Sequence, residues 1–145
     1  MERSAQTRGF SLVEVVLALG LATFALIAII GLLPMAMKSN RDSFEETHAV
    51  TVLEALIADR RISAAASNSM TYGLPPLSAT TVTDIYLKED GSLTAAPANA
   101  RYKVRVTPYH PSGYQQPTYL NFNASWPAAA SVPSSFVEMT AAFPR

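Results

Sequence analysis

The chain has 145 residues, 11 basic and 11 acidic side chains, a formal net charge of zero and no cysteine. A balanced charge gives no electrostatic footprint for nucleic acid, so no direct nucleic-acid binding is expected. Without cysteine there is no disulfide and no thiolate metal or redox site. Two histidines are too few for a His-rich cluster, so neither a metal nor a cofactor is expected.

The first element is the most telling. A short polar leader, residues 1–9, carries Arg3 and Arg8. Beyond it Phe10 to Met37 is apolar, and its single charge is Glu14. From Val15 to Met37 the chain would make roughly 34 Å of helix, enough for a hydrocarbon core of about 30 Å. A helix buried in a soluble core would keep a polar stripe, and this one keeps none. Gly20, Gly31 and Pro34 are poor choices for a soluble helix and common ones in a spanning helix. Residues 10–37 are therefore read as a transmembrane segment in contact with the lipid bilayer.

The flanks orient it. Arg3, Arg8 and the initial amine keep the leader in the cytoplasm and send the remainder across the membrane. Lys38 and Arg41 oppose this weakly, next to Asp42, Glu45 and Glu46. A cleaved secretory signal fits less well, because the apolar run is about twice the usual 7–15 residues. The exit Leu33-Pro34-Met35-Ala36-Met37-Lys38 also offers no good small-x-small site. An uncleaved signal anchor fits the run but gives no reason for Glu14. A carboxylate at a bilayer centre costs about 2.5–3.5 kcal/mol, and less towards the interface. It must snorkel to the headgroups or find a cation.

Arg8-Gly9-Phe10-Ser11-Leu12-Val13-Glu14-Val15-Val16-Leu17-Ala18-Leu19 resembles the class III signal of type IV pilins and of type II secretion pseudopilins. Gly31-Leu32-Leu33-Pro34, followed by Arg41-Asp42-Ser43, is also similar to the pilin-like Verru_Chthon cassette protein B family. The resemblance implies a prepilin peptidase that cleaves after Gly9 and N-methylates Phe10. It implies that Glu14 pairs with the terminal amine of a neighbouring pilin or pseudopilin subunit during assembly. The other implied partner is the inner-membrane assembly platform. Elementary electrostatics agrees: Glu14 lies four residues from Phe10, and opposite charges in a poor dielectric attract strongly.

Residues 38–68 read as an exported continuation of the helix. No Gly or Pro interrupts Asp42 to Ala66. Val50, Leu53 and Ile57, with Val52 and Leu56 alongside, form one face, and Glu45, Glu46, Glu54, Asp59, Arg60 and Arg61 occupy much of the rest. An apolar face of this kind is expected to pack on a sheet, and Pro34 to kink or loosen the helix near the membrane exit. A loop from Ala64 through Tyr72-Gly73-Leu74-Pro75-Pro76 should end the helix near Ala66.

Residues 69–145 read as a small antiparallel β domain. Val82 to Lys88 leads into an Asp90-Gly91 hairpin turn. Tyr102-Lys103-Val104-Arg105-Val106 alternates, as do Leu120, Phe122, Ala124 and Trp126, and finally Val137, Met139, Ala141 and Phe143. Such alternation means one buried and one wet face. Prolines 108, 111, 117, 127 and 133 should confine the strands to short pieces. The fold class expected is thus α+β: a long N-terminal helix, membrane-spanning in its first half, packed on a small antiparallel sheet, as in pilins.

Other candidate features are weaker. Tyr109, His110, Tyr114 and Tyr119 cluster around the Pro108–Pro117 loop, more readily as a lid on the core than as a contact surface. Asp84, Glu89 and Asp90 read as solvated charges rather than calcium ligands. The Asn123-Ala124-Ser125 sequon falls within a strand and is assigned no role. No nucleophile elbow, phosphate loop or catalytic constellation is present, and no enzyme activity is expected. The expectation is a processed, assembling structural subunit in the inner membrane with a periplasmic domain, a minor component of a pilus or pseudopilus. The rival is a single-pass anchored periplasmic binding module that never polymerises.

Overall fold

The computed structural model describes residues 9–112 and 116–144. Its elements are helix α1 (Leu12–Ile62), strand β1 (Thr83–Leu87), a 3₁₀ turn at Pro97–Asn99, and strands β2 (Tyr102–Tyr109), β3 (Thr118–Trp126) and β4 (Ser135–Phe143). The layout is α+β, as expected. The chain divides into two compact units between Asp42 and Ser43.

In the first unit α1 carries Phe24, Ile27, Ile30, Leu33 and their neighbours with every large apolar side chain exposed. Along its most apolar stretch no residue is buried. A helix that is apolar all round and exposed along this length is compatible with a membrane anchor. The helix runs through Pro34, whose ring lacks the N–H that would have bonded to the Ile30 carbonyl.

The second unit is a four-stranded antiparallel meander in the order β1-β2-β3-β4, with the last twenty residues of α1 against it. Ala49, Val52, Leu53, Leu56 and Ile57 are the buried apolar residues of the helix, a stripe at i, i+3, i+4, i+7 and i+8. They join Ile85 and Leu87 of β1, Tyr102, Val104 and Val106 of β2, Leu120, Phe122, Ala124 and Trp126 of β3, and Ala141 and Phe143 of β4 in one core. The even positions of β2 and β3 turn inward together because the register sets Val104 opposite Ala124 and Val106 opposite Phe122. Val50, expected on the buried face, sits half-buried at its rim; Ala49 takes the central place.

Three boundaries differ from expectation, each for a physical reason. Asp90-Gly91 does make a tight turn, with Gly91 at φ +78° and its N–H donating to the Lys88 carbonyl at 3.1 Å. The returning chain makes only a bridge from Leu93 to Leu87 and then departs, since Pro97 has no N–H for a ladder. The sheet partner of β1 is β2, pairing Ile85 with Val104. Prolines shorten the strands less than expected. Pro117 and Pro127 bracket β3, while Pro108 lies inside β2 beyond the end of β1, where a missing N–H costs no ladder bond. The third boundary is the end of α1 at Ile62, four residues short of Ala66.

That early stop has an unexpected cause. Asp59 and Arg60 do not lie on a wet face; they are 4% and 1% exposed. The Arg60 guanidinium donates to the carbonyls of Ser67 (2.8 Å), Pro75 (3.1 Å) and Ser63 (3.3 Å), and to that of Ala64. The Asp59 carboxylate accepts from the Thr71 and Tyr72 N–H groups at 3.2 and 3.0 Å. One adjacent pair thus takes the helix-end carbonyls and holds the loop that follows. Removing Arg60 takes the donor from several part-buried carbonyls and should cost about 1–3 kcal/mol in all, since water can reach some of them. Leu53→Ala opens a cavity and should cost about 2–5 kcal/mol, whereas Glu54→Ala, on the exposed face, should stay within about 0.5 kcal/mol. Denaturant unfolding followed by the fluorescence of the single tryptophan, Trp126, is expected to rank Arg60→Ala and Leu53→Ala far below Glu54→Ala.

Candidate functional site

The residues singled out by the sequence meet at the start of α1. Ser11 is its N-cap: its Oγ accepts from the Glu14 N–H at 3.2 Å, and its carbonyl accepts from the Val15 N–H at 3.2 Å. Ser11-x-x-Glu14 is the spacing of a capping box, a signal the sequence reading passed over. Glu14 is the third residue of the helix, where the unsatisfied N–H groups carry partial positive charge and favour a carboxylate. Its position is therefore partly compensated before any partner arrives.

Phe10 is 82% exposed and precedes the helix by two residues. The four-residue interval from Phe10 to Glu14 is a sequence spacing and does not place both on one face of a helical turn. A Cβ built at Gly9 would meet no atom within 4 Å. Among the described residues no neighbour demands a glycine there. Leu12, Val13, Val16 and Leu17 next to this junction form an apolar surface, with Leu12 83% and Val13 73% exposed. The arginines of the leader, Arg3 and Arg8, lie outside the described residues.

The structure places the weaker candidates elsewhere. Tyr109 ends β2, 64% exposed, with its ring 6.3 Å from that of Tyr119. His110 uses Nε2 on the Ala79 carbonyl at 3.0 Å, and Tyr114 lies outside the described residues. Glu89 stands in the turn with Asp90, whose Oδ1 accepts from the Ser92 N–H at 2.9 Å. Asn123 is on the wet face of β3, opposite Arg105 and Glu138.

Asp84 is held on the wet face of the sheet. Arg105 grips it through Nε and Nη2 at 2.9 and 3.1 Å, and Lys103 Nζ stands 3.0 Å away. The Arg105 hydrogen bonds, opposed by partial burial and helped by Lys103, lower its carboxyl to about 2. Beside this cluster Lys103, Arg105, Asn123, Ser125, Ser131 and Phe136 line a groove of about 350 Å³. Glu45 of α1 pairs with Arg101, and His48 stacks on Tyr102 at 5.6 Å, so polar contacts also tie helix to sheet. None of these pairings could be read from sequence, because each joins residues far apart in the chain.

No family model matches the chain, no curated protein matches it, and no solved structure matches its fold.

Two acids set the acid response. Burial pushes the Asp59 carboxyl up, but hydrogen bonds from Ser69, Tyr72 and Thr71 outweigh it and leave it below its ordinary value. A carboxyl lowered in the folded state stabilises above its unfolded value, near 3.8, and that stability is lost as pH falls through the folded value. For Asp84 the window runs from about 4 down to about 2. Its side chain is 28% exposed, so after solvent screening the contribution is on the order of 1 kcal/mol. Asp84→Asn is expected to lose about that much at pH 7 and to flatten the decline below pH 4, as pH-dependent unfolding would show.

Proposed function

We propose that this chain is a prepilin-like structural subunit. Prepilin peptidase cleaves it after Gly9 and methylates the new terminus at Phe10. The mature subunit is held in the inner membrane by residues 10–37, with residues 38–145 in the periplasm. It assembles through its apolar helix with other pilin or pseudopilin subunits on the inner-membrane platform, as a minor component of a type IV pilus or type II secretion pseudopilus.

One observation carries this reading: the Gly9-Phe10-Ser11-Leu12-Val13-Glu14 junction opens a helix whose apolar side chains are exposed around its circumference. Three features support it. Gly9 meets no internal steric demand, which suits a residue chosen by a peptidase. Phe10 lies outside the helix, exposed, where an enzyme could reach both sides of the scissile bond. Glu14 is stabilised by the helix start but makes no ion pair within the described residues, which leaves its carboxylate for an ammonium from a neighbour.

The wet-face groove around Lys103, Arg105 and Phe136 favours a second reading, an anchored periplasmic binding module that does not polymerise. The two part at Gly9 and Glu14. Under the prepilin reading Gly9→Val leaves a full-length precursor in cells that possess the peptidase. Glu14→Ala leaves processing intact and abolishes recovery of the protein in sheared filaments. Immunoblots of membrane and sheared fractions, with and without the peptidase, test both. Unchanged mobility of wild-type protein on loss of the peptidase would favour the anchored module instead.

A further inference from the structure

The two edges of the sheet are unlike. β1 is five residues long, and its outer side is partly taken: Thr94 N–H donates to the Tyr86 carbonyl at 3.0 Å, and Leu93 bridges to Leu87. It also bears Asp84 within the Arg105 and Lys103 cluster. Short length, charge and a covering segment are the usual means of blunting an edge.

β4 lacks the short length and, among the described residues, the covering segment. It runs nine residues, pairs with β3 alone, and among the described residues no backbone hydrogen bond is made on its outer side. Its one charge, Glu138, faces the wet side, where Asn121 Nδ2 donates to it at 2.6 Å. On the other side of the strand a groove of about 660 Å³ runs between β4 and α1. Ile57, Ala58, Ile62, Met139 and Ala141 supply its apolar lining, and Glu54 and Arg61 stand on its helix side. Ile62 is 80% exposed. Glu54 and Arg61, seven residues apart, lie on one side of α1 about 10.5 Å from each other along the axis.

The geometry points to β4 as an acceptor for an added strand: an extended segment of another protein chain, apolar on alternate residues, with a cation towards Glu54 and a carboxylate towards Arg61. The backbone of such a segment bonds to the open edge while every second side chain enters the groove. The apolar layer that β4 leaves incomplete, with Val137 and Met139 only half-buried, is then closed by the guest. This surface does not depend on processing at Gly9, and its test succeeds or fails whether or not the chain polymerises.

The test uses the full chain in detergent micelles and two synthetic nonapeptides, Val-Thr-Lys-Thr-Val-Thr-Glu-Thr-Val and its reversed sequence, at millimolar concentration; their Lys and Glu share the valine face, about 13 Å apart. Amide hydrogen exchange across residues 135–143 is the readout. One of the two peptides should slow exchange there about fivefold or more, leaving β1 unchanged. Ala58→Trp fills the groove from an exposed helix position and should abolish the effect at unaltered Tm. Glu54→Lys should weaken the favoured peptide and restore binding to a version with Glu in place of its lysine. Unchanged exchange in the wild-type chain with both peptides would overturn the proposal. So would a slow edge in the peptide-free chain that accelerates on dilution, since the occupant would then be a second copy.

Discussion

The molecule is governed by one helix that has to satisfy two environments. Up to about Met37 its apolar side chains surround the whole circumference, and they are exposed. In the last turns only one stripe is apolar, and the stripe is buried. The carboxylate at Glu14 is the point of tension. It sits at the entrance to the apolar run, capped by Ser11 from below, where helix geometry moderates its cost. On the proposed prepilin reading, a positively charged neighbour would offset what remains of that cost.

The globular part follows from where the helix ends. Leu53 and Leu56 give the sheet something to pack on, and Asp59 and Arg60 then stop the helix and bind the loop that leads to the first strand. A buried arginine is costly unless its donors are met; here Nη1 and Nη2 reach four backbone carbonyls, while Nε finds no partner among the described residues. Burial lowers the Arg60 guanidinium, and the Asp59 charge opposes that. Without disulfides, this polar clasp is the long-range tie between helix and loop, alongside the Glu45–Arg101 pair and the His48–Tyr102 stack.

Much of this was legible because periodicity reports burial directly. The alternation at Tyr102–Val106 and Leu120–Trp126 named the inward residues of β2 and β3 correctly, since a period of two leaves little freedom. The helix stripe was read one residue off at Val50, because Ala49 is too small to signal a core position. Asp59 and Arg60 were misread as wet, since a charge pattern does not reveal which carbonyls a loop will bring near. Asp84 was read as a solvated charge, and the grip of Arg105 and Lys103 on it emerges only from the β1–β2 register. At the N-terminal junction the sequence spelled out the motif residues, but Phe10 stands ahead of the helix because Ser11 caps it.

Mass spectrometry of the N-terminal peptide, from protein recovered in membranes of cells that possess a prepilin peptidase, tests the central claim most directly. Processing predicts a peptide that begins at Phe10 and carries one extra methyl group on its amine. A peptide that still contains residues 1–9, in protein that is otherwise fully functional, would contradict it.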